Sequence, residues 1–226
     1  MNWEDEGFLI SKRKFRENAN IIDVFTSRYG KVTGIVYGGN SRKIRNYLQI
    51  SNKIYLTYTS KNQNRIGYFK TELIEAISPK YFNHKKKTAA LLSLTSVLNL
   101  LLPESQVNTK IYNSILELTK NFDNENWILL YIFWELVIIK ELGFDPDFNK
   151  FKTNVKDLNK IYDLEIDGIK YKIPGFLINN KVPNNINNDL IRKSLIFNRS
   201  IMLNKFFLPN NLIFPKSRIL LENYFI

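Results

Sequence analysis

From Gly7 to about Ala76 apolar and polar residues alternate with a period of two, and turn residues break the pattern into five runs: Gly7–Phe15, Ile21–Ser27, Val32–Tyr37, Lys53–Thr59 and Arg65–Leu73. Successive side chains of a strand point to opposite faces, so in the fourth run Ile54, Leu56 and Tyr58 share one side while Lys53, Tyr55 and Thr57 share the other. The Lys-Asn-Gln-Asn stretch at 61–64 reads as the hairpin turn into the fifth run. Five short antiparallel strands in about 70 residues predict a small barrel of the oligonucleotide/oligosaccharide-binding (OB) type. An SH3-like barrel has the same strand count, and pattern alone does not separate the two.

After Ser78 and Pro79 the period becomes helical. Thr88–Leu102 is apolar and stops at Pro103, Val107–Phe122 sets Ile111, Ile115, Leu116 and Leu118 on one side, and a longer helix capped by Asp123 runs to Leu142, closed by Gly143. Trp127, Leu130, Tyr131, Trp134, Val137 and Ile138 follow an i, i+3, i+4 progression that reads as core packing rather than a cofactor site. Residues 144–186 are irregular, with one hairpin expected where 164–166 and 169–171 flank Asp167-Gly168. Helical periodicity resumes over Asn187–Phe207 and Lys216–Phe225. The fold class is therefore α+β: an N-terminal OB-fold β barrel over 1–79, then an α-helical domain over 80–226 with an irregular excursion at about 144–186.

Charge sharpens this picture through its placement. The net charge is +12, but the 61 residues from Ile10 to Lys70 carry 13 Lys and Arg against Glu17 and Asp23, which is +11 of it. A folded β domain with so uneven a charge points to a polyanion, and nucleic acid is the first candidate. The chain has no cysteine, which excludes disulfides and Cys-ligated metals, and its single histidine, His84, cannot build a multi-histidine site. Residues 1–8 are acidic where a signal peptide would be basic, and no apolar run reaches the ~20 residues of a membrane span. A soluble cytoplasmic protein with no membrane partner and no cofactor is expected.

No grouping of residues reads as an active site. His84 sits beside three lysines, Gly38-Gly39 is followed by Asn-Ser-Arg-Lys rather than the Gly-Lys-Ser or Gly-Lys-Thr of a P-loop, and Asp145 and Asp147 flank a proline in what reads as a turn. The protein is expected not to be an enzyme. The strongest constellation is Lys31 with Gly38–Arg45, a strand leading into a Gly-rich basic loop where Arg42, Lys43 and Arg45 can make charge-assisted contacts with phosphates. A solvated loop is the competing reading. Lys12, Arg13, Lys14 and Arg16 form a second cluster, of which at most half can share a strand face. Lys85, Lys86 and Lys87 stand at a helix entry, where they oppose the helix dipole, and Arg192 and Lys193 with Arg199 make a weaker third group. Tyr29, Tyr37, Tyr47 and Tyr55 are candidates for stacking on bases, worth about 1–3 kcal/mol each where it occurs, or else for barrel packing.

Several motifs, in order along the whole chain, resemble the RecO family of bacterial DNA repair and recombination mediators. They are Trp-Glu-Asp-Glu-Gly-Phe-Leu-Ile at 3–10, Ser-Arg-Tyr-Gly-Lys at 27–31, Gly-Gly-Asn-Ser-Arg at 38–42, Leu-Leu-Pro-Glu at 101–104, Glu-Leu-Gly-Phe at 141–144 and Ile-Pro-Gly-Phe-Leu at 173–177. The resemblance implies an OB domain and a helical domain, binding of single- and double-stranded DNA, annealing of complementary strands, and loading of the RecA recombinase together with RecR. It also implies contact with the acidic C-terminal tail of the single-stranded DNA-binding protein. By the same likeness the family's basic loop falls on Arg42, Lys43 and Arg45, and Lys31 matches a basic residue after the strand-two turn. Many relatives carry a zinc-binding cysteine cluster after Leu-Gly-Phe; here Asp-Phe-Asn-Lys-Phe stands at 147–151, so the excursion is expected to be zinc-free and held by Phe148, Phe151, Tyr162 and Tyr171. An RNA-binding or ribosome-associated OB protein, or an interaction module for an acidic protein partner, would use the same basic surface.

Overall fold

The barrel is built on one long strand that serves two partners. In the computed structural model, which describes residues 1–61 and 66–226, β1 (Asn2–Arg16) pairs antiparallel through its first half with β4 (Lys53–Thr59) and through its second half with β2 (Ala19–Thr26). β3 (Gly30–Tyr37) pairs antiparallel with β2, and β5 (Gly67–Glu75) with β4. A short parallel contact, Gly34 opposite Gly67 and Ile35 opposite Tyr68, closes the order β1-β2-β3-β5-β4 into an OB barrel. β1 begins before the expected Gly7, because Asp5 occupies an inward position that alternation would assign to an apolar residue; Trp3 and Asp5 are both buried. The turn expected at 61–64 lies, from residue 62 on, outside the described residues, as does Arg65.

The interior is filled by Trp3, Leu9, Ile22, Val24, Val36, Leu48, Ile54, Leu56 and Phe69. Trp3 stacks on Tyr29 at 4.1 Å and on Tyr58 at 4.8 Å between ring centroids, and meets Phe69 edge-on at 6.2 Å. These rings explain the glycines at the closure. A Cβ at Gly34 would lie 2.3 Å from the Phe69 ring, and one at Gly67 would lie 2.4 Å from the Tyr58 ring.

Asp5, buried in the wall, is matched by donors from the β2–β3 turn: the Ser27 hydroxyl at 2.7 Å, the Arg28 amide at 2.8 Å and Arg28 Nε at 3.3 Å, with the Glu6 amide at 2.9 Å. Arg28 also donates to the Glu4 carbonyl. Burial pushes the Asp5 carboxyl up, but these hydrogen bonds to its charged form outweigh burial and leave it below the ordinary carboxylate range.

Where a Gly-rich loop is expected after β3, the chain forms a six-residue helix, α1 (Arg42–Tyr47), with Ser41 at its N-cap. After α2 (Ile77–Lys80) come α3 (Lys85–Leu101), α4 (Thr109–Lys120) and α5 (Trp127–Glu141). The lysine run thus lies inside the first turn of α3 rather than before it, and Asn126, not Asp123, stands at the N-cap of α5.

By packing, the chain divides into two compact units: residues 1–112 with 215–218, and residues 113–214 with 219–226. In the first, α3 packs along β1, and Tyr112 sets its ring against Phe8 at 5.5 Å and Phe25 at 5.8 Å. In the second, α5 is buried on most of its circumference, including Glu135, which accepts from Asn198 Nδ2 at 3.1 Å. Leu130 and Val137, expected in the core, are instead exposed, because the buried arc of α5 runs through Ile128, Leu129, Ile132 and Ile139.

The excursion holds β6 (Ile161–Ile166) and β7 (Ile169–Pro174), joined as expected at Asp167-Gly168, where both φ angles are positive, 50° and 76°. α6 (Gly175–Asn179) leads on to α7 (Asn188–Met202), which a π turn extends to Phe207, and α8 (Lys216–Asn223) follows. Phe148 and Tyr171 pin the excursion against Phe197 of α7, with centroids 6.0 and 5.9 Å away. Tyr162 bonds to the backbone of Asp157. Asp145 and Asp147 pair with Lys140 at 2.7 Å and Lys150 at 3.2 Å.

Two outcomes follow from this barrel. Gly34→Ala forces a methyl group into the Phe69 ring and costs about 1–3 kcal/mol, read as a lower urea midpoint; an unchanged midpoint would show that the closure tolerates side chains. Because the folded Asp5 carboxyl is depressed, its contribution is full above the unfolded value of about 3.9 and is lost as pH falls through the lower folded value. Thermal melts of the parent and Asp5→Asn should therefore differ at pH 6, the variant melting lower, and converge as pH falls through the depressed folded value.

Candidate nucleic-acid interface

The tip of the β1–β2 hairpin and the segment entering α1 are bonded to each other. The Gly38 amide donates to the Asn18 carbonyl at 2.8 Å, Asn40 Nδ2 to the Glu17 carbonyl at 2.8 Å, and Asn20 Nδ2 to Asn40 Oδ1 at 3.1 Å. From this anchor α1 lies over the barrel with Ile44 and Tyr47 packed against the core, and the Tyr47 hydroxyl donates to the Thr71 carbonyl at 2.6 Å. With that face turned inward, Arg42, Lys43 and Arg45 are exposed.

Lys12 reaches the end of the same helix, its ammonium donating to the Leu48 carbonyl at 2.7 Å. Its pKa is lowered, first by burial and then by the nearby Arg45 charge, so two cations from different elements are held close together. Lys14, exposed and opposite Asn20, lies on the same side of β1 as Lys12. Five of the expected site residues thus gather around the 38–48 segment: Lys12, Lys14, Arg42, Lys43 and Arg45.

The others stand elsewhere. Lys31 donates to the Asn99 carbonyl at 3.0 Å, near the C-terminal end of α3, where a cation complements the helix dipole. Arg13, on the opposite side of β1 from Lys12, shares a groove with Lys31. Lys85, Lys86 and Lys87 occupy the first turn of α3, with Lys87 Nζ 5.0 Å from the Tyr81 ring centroid. Arg192 and Lys193 belong to the second unit: Lys193 pairs with Asp189 at 2.6 Å, and Arg192 is half-buried with its Nε shielded from solvent. Arg199 forks onto Glu222 at 2.9 and 3.2 Å.

Of the four tyrosines considered for stacking, Tyr29 and Tyr47 pack against the barrel core. Tyr55 is exposed but donates its hydroxyl to Glu4 at 2.7 Å. Tyr37 is 57% exposed and lies 6.5 Å from the exposed ring of Tyr68. Tyr68 is absent from the sequence-based candidates, yet its register was available: with Gly67 and Phe69 facing in, Tyr68 must face out. Phe82, 81% exposed just before the lysine run, has no such periodic signal. Among the described residues no group of three or more His, Cys, Asp or Glu is arranged to hold a metal ion, and no helix is long and apolar enough to cross a membrane.

Residues 1–77 match the family described as Recombination protein O N terminal, and residues 85–157 the family described as Recombination protein O C terminal. The DNA repair protein RecO of Ehrlichia chaffeensis is 33% identical over 156 residues, 68% of this chain and 63% of that protein. Its namesake from Wolbachia sp. subsp. Drosophila simulans (strain wRi) is 31% identical over 161 residues, 70% and 66% of the two chains, and that of Roseobacter denitrificans is 33% identical over 147 residues, 64% and 60%. The chain spans a little under two thirds of the length of these relatives. The asparaginyl-tRNA synthetase of Entamoeba histolytica aligns over 95% of this chain and 60% of its own at 11% identity, with a TM-score of 0.34, too slight a likeness to bear on fold or function. With the two family halves matched in order, the first over the OB barrel and the second over the helices that follow, this chain belongs to the RecO family.

Proposed function

We propose that the protein is a DNA repair and recombination mediator that binds single- and double-stranded DNA, holds complementary strands so that they anneal, and with RecR helps load the recombinase. The observation that carries this reading is the gathering of Lys12, Lys14, Arg42, Lys43 and Arg45 around one anchored segment of the barrel. Cations on an open rim grip phosphates without enclosing the strand, so base edges stay available to a complement. Lys31, Lys85, Lys86 and Lys87 on the barrel unit, and separately Arg192 and Lys193 on the second unit, are further DNA contacts in this reading. The RecO names of the relatives support the same reading.

The protein acts through binding and not as an enzyme, needs no cofactor, and works in the cytoplasm. It meets the acidic C-terminal tail of the single-stranded DNA-binding protein as a further partner. Its functional division falls at 79/80, between the two segments that the family descriptions cover.

Reversing charge at Arg42, Lys43 and Arg45 together should weaken binding of a single-stranded oligomer on the order of 100-fold at moderate salt and reduce the magnitude of the log–log salt slope by about 2. Fluorescence anisotropy across a salt series reads both quantities. Unchanged affinity and slope would remove this rim from the interface, and an annealing assay on the same variant would separate a mediator from a passive binder.

A further inference from the structure

Two tyrosines on the outer wall of the barrel do not serve its core. Val36 of β3 and Ile22 and Val24 of β2 point inward, so Ile35 and Tyr37 face out, and Tyr68 of β5, between the inward Gly67 and Phe69, faces out beside Ile35. Tyr37 is 57% and Tyr68 38% exposed. Their ring centroids lie 6.5 Å apart with the planes at 60°, tilted rather than stacked, so the ring faces are not spent on each other. A lone exposed ring is ordinary on a protein surface; two in contact, with half-buried Ile35 beside them, make a patch.

Other tyrosines of the barrel unit are committed. Tyr29 and Tyr58 cover the buried Trp3, and the hydroxyls of Tyr47, Tyr55 and Tyr112 bond to Thr71, Glu4 and Glu6. Among the described residues the hydroxyls of Tyr37 and Tyr68 have no hydrogen-bond partner.

The pair borders the cationic segment. Tyr37 leads directly into the anchored Gly38, and across β2 it stands opposite Ala19, itself opposite Arg16. Tyr68 shares its face of β5 with the exposed Lys70, next to Thr71, whose carbonyl receives the Tyr47 hydroxyl of α1. Glu17 at the hairpin tip and Glu72, opposite Tyr55, are the acidic neighbours; Arg16, Arg42, Lys43, Arg45 and Lys70, all exposed, outnumber them. An open ring beside fixed cations suits a nucleotide whose base is unpaired, with the base on the ring and the phosphate on the charge. In a duplex the base faces are stacked on one another and cannot reach such a ring.

We propose that Tyr37 and Tyr68 form a stacking platform for unpaired bases and give the protein its preference for single strands, while the cations alone hold duplex. The inference rests on the nucleic-acid reading above and assigns to this face the part of binding that phosphates do not supply.

The test uses the full chain and three labelled probes: a 15-mer of thymidine, a 15-mer of abasic sites with the same phosphates, and a 15-base-pair duplex. Anisotropy should show the thymidine oligomer binding about tenfold tighter than the abasic one. Tyr37→Leu with Tyr68→Leu should erase that difference, leaving abasic and duplex affinities, the salt slope and the circular dichroism melt unchanged. Tyr37→Phe with Tyr68→Phe should keep it, because the rings remain. Equal affinity of the parent for the thymidine and abasic oligomers, a difference that survives the leucine variant, or a leucine variant that weakens all three probes alike would overturn the platform. Equal affinities with a steep salt slope would leave the DNA-binding reading standing and remove the platform alone; binding of no probe at low salt would remove both.

Discussion

Closure of the barrel rests on the absence of two side chains. Gly34 and Gly67 face each other across the parallel contact between β3 and β5, and each leaves the space that an aromatic ring fills, Phe69 at the first and Tyr58 at the second. Tyr58 and Phe69 in turn meet Trp3, and Trp3 meets Tyr29 at the end of the β2–β3 turn. Strand order, ring packing and turn position are thus one constraint. A parallel contact this short has few backbone hydrogen bonds of its own, so the ring cluster does much of the holding.

The second constraint is polar. Asp5 accepts from Ser27 and Arg28, so the segments 3–10 and 27–31, both of which resemble RecO motifs, are partners in space. Their resemblance reports how the barrel is built. The cations around 38–48 sit outside that framework on α1 and the second half of β1, and what they contact is set by charge and exposure. Lys31 stands within that framework, its ammonium bonded to the Asn99 carbonyl near the end of α3.

The strand pattern was readable where alternation is clean, as in Ile54, Leu56 and Tyr58 of β4 and Gly67 and Phe69 of β5. It failed at the start of β1, where a buried carboxylate imitates a solvent-facing residue, and at α1, where two glycines and a serine before a short basic stretch conceal a single helical turn and a half. In α5 the apolar residues surround the helix, so periodicity alone had no means of choosing Ile128 and Ile139 over Leu130 and Val137 for the core. At the candidate site, residue types and charge were legible, but their convergence was not: Lys12 and Arg45 are 33 positions apart in the chain, and what brings Lys12 to the helix that carries Arg45 is its bond to the Leu48 carbonyl. The same holds for Tyr37 and Tyr68, which meet through the β3–β5 pairing.

The three hydrogen bonds that tie residues 17, 18 and 20 to 38 and 40 have a kinetic consequence. A loose basic loop must be immobilised by each strand it captures, and that ordering weakens the complex every time it forms. Here the backbone leading into α1 is already fixed, so the cost of arranging the cations was met when the chain folded. Capture of a polyanion at these cations therefore needs no rearrangement of the backbone that leads into α1.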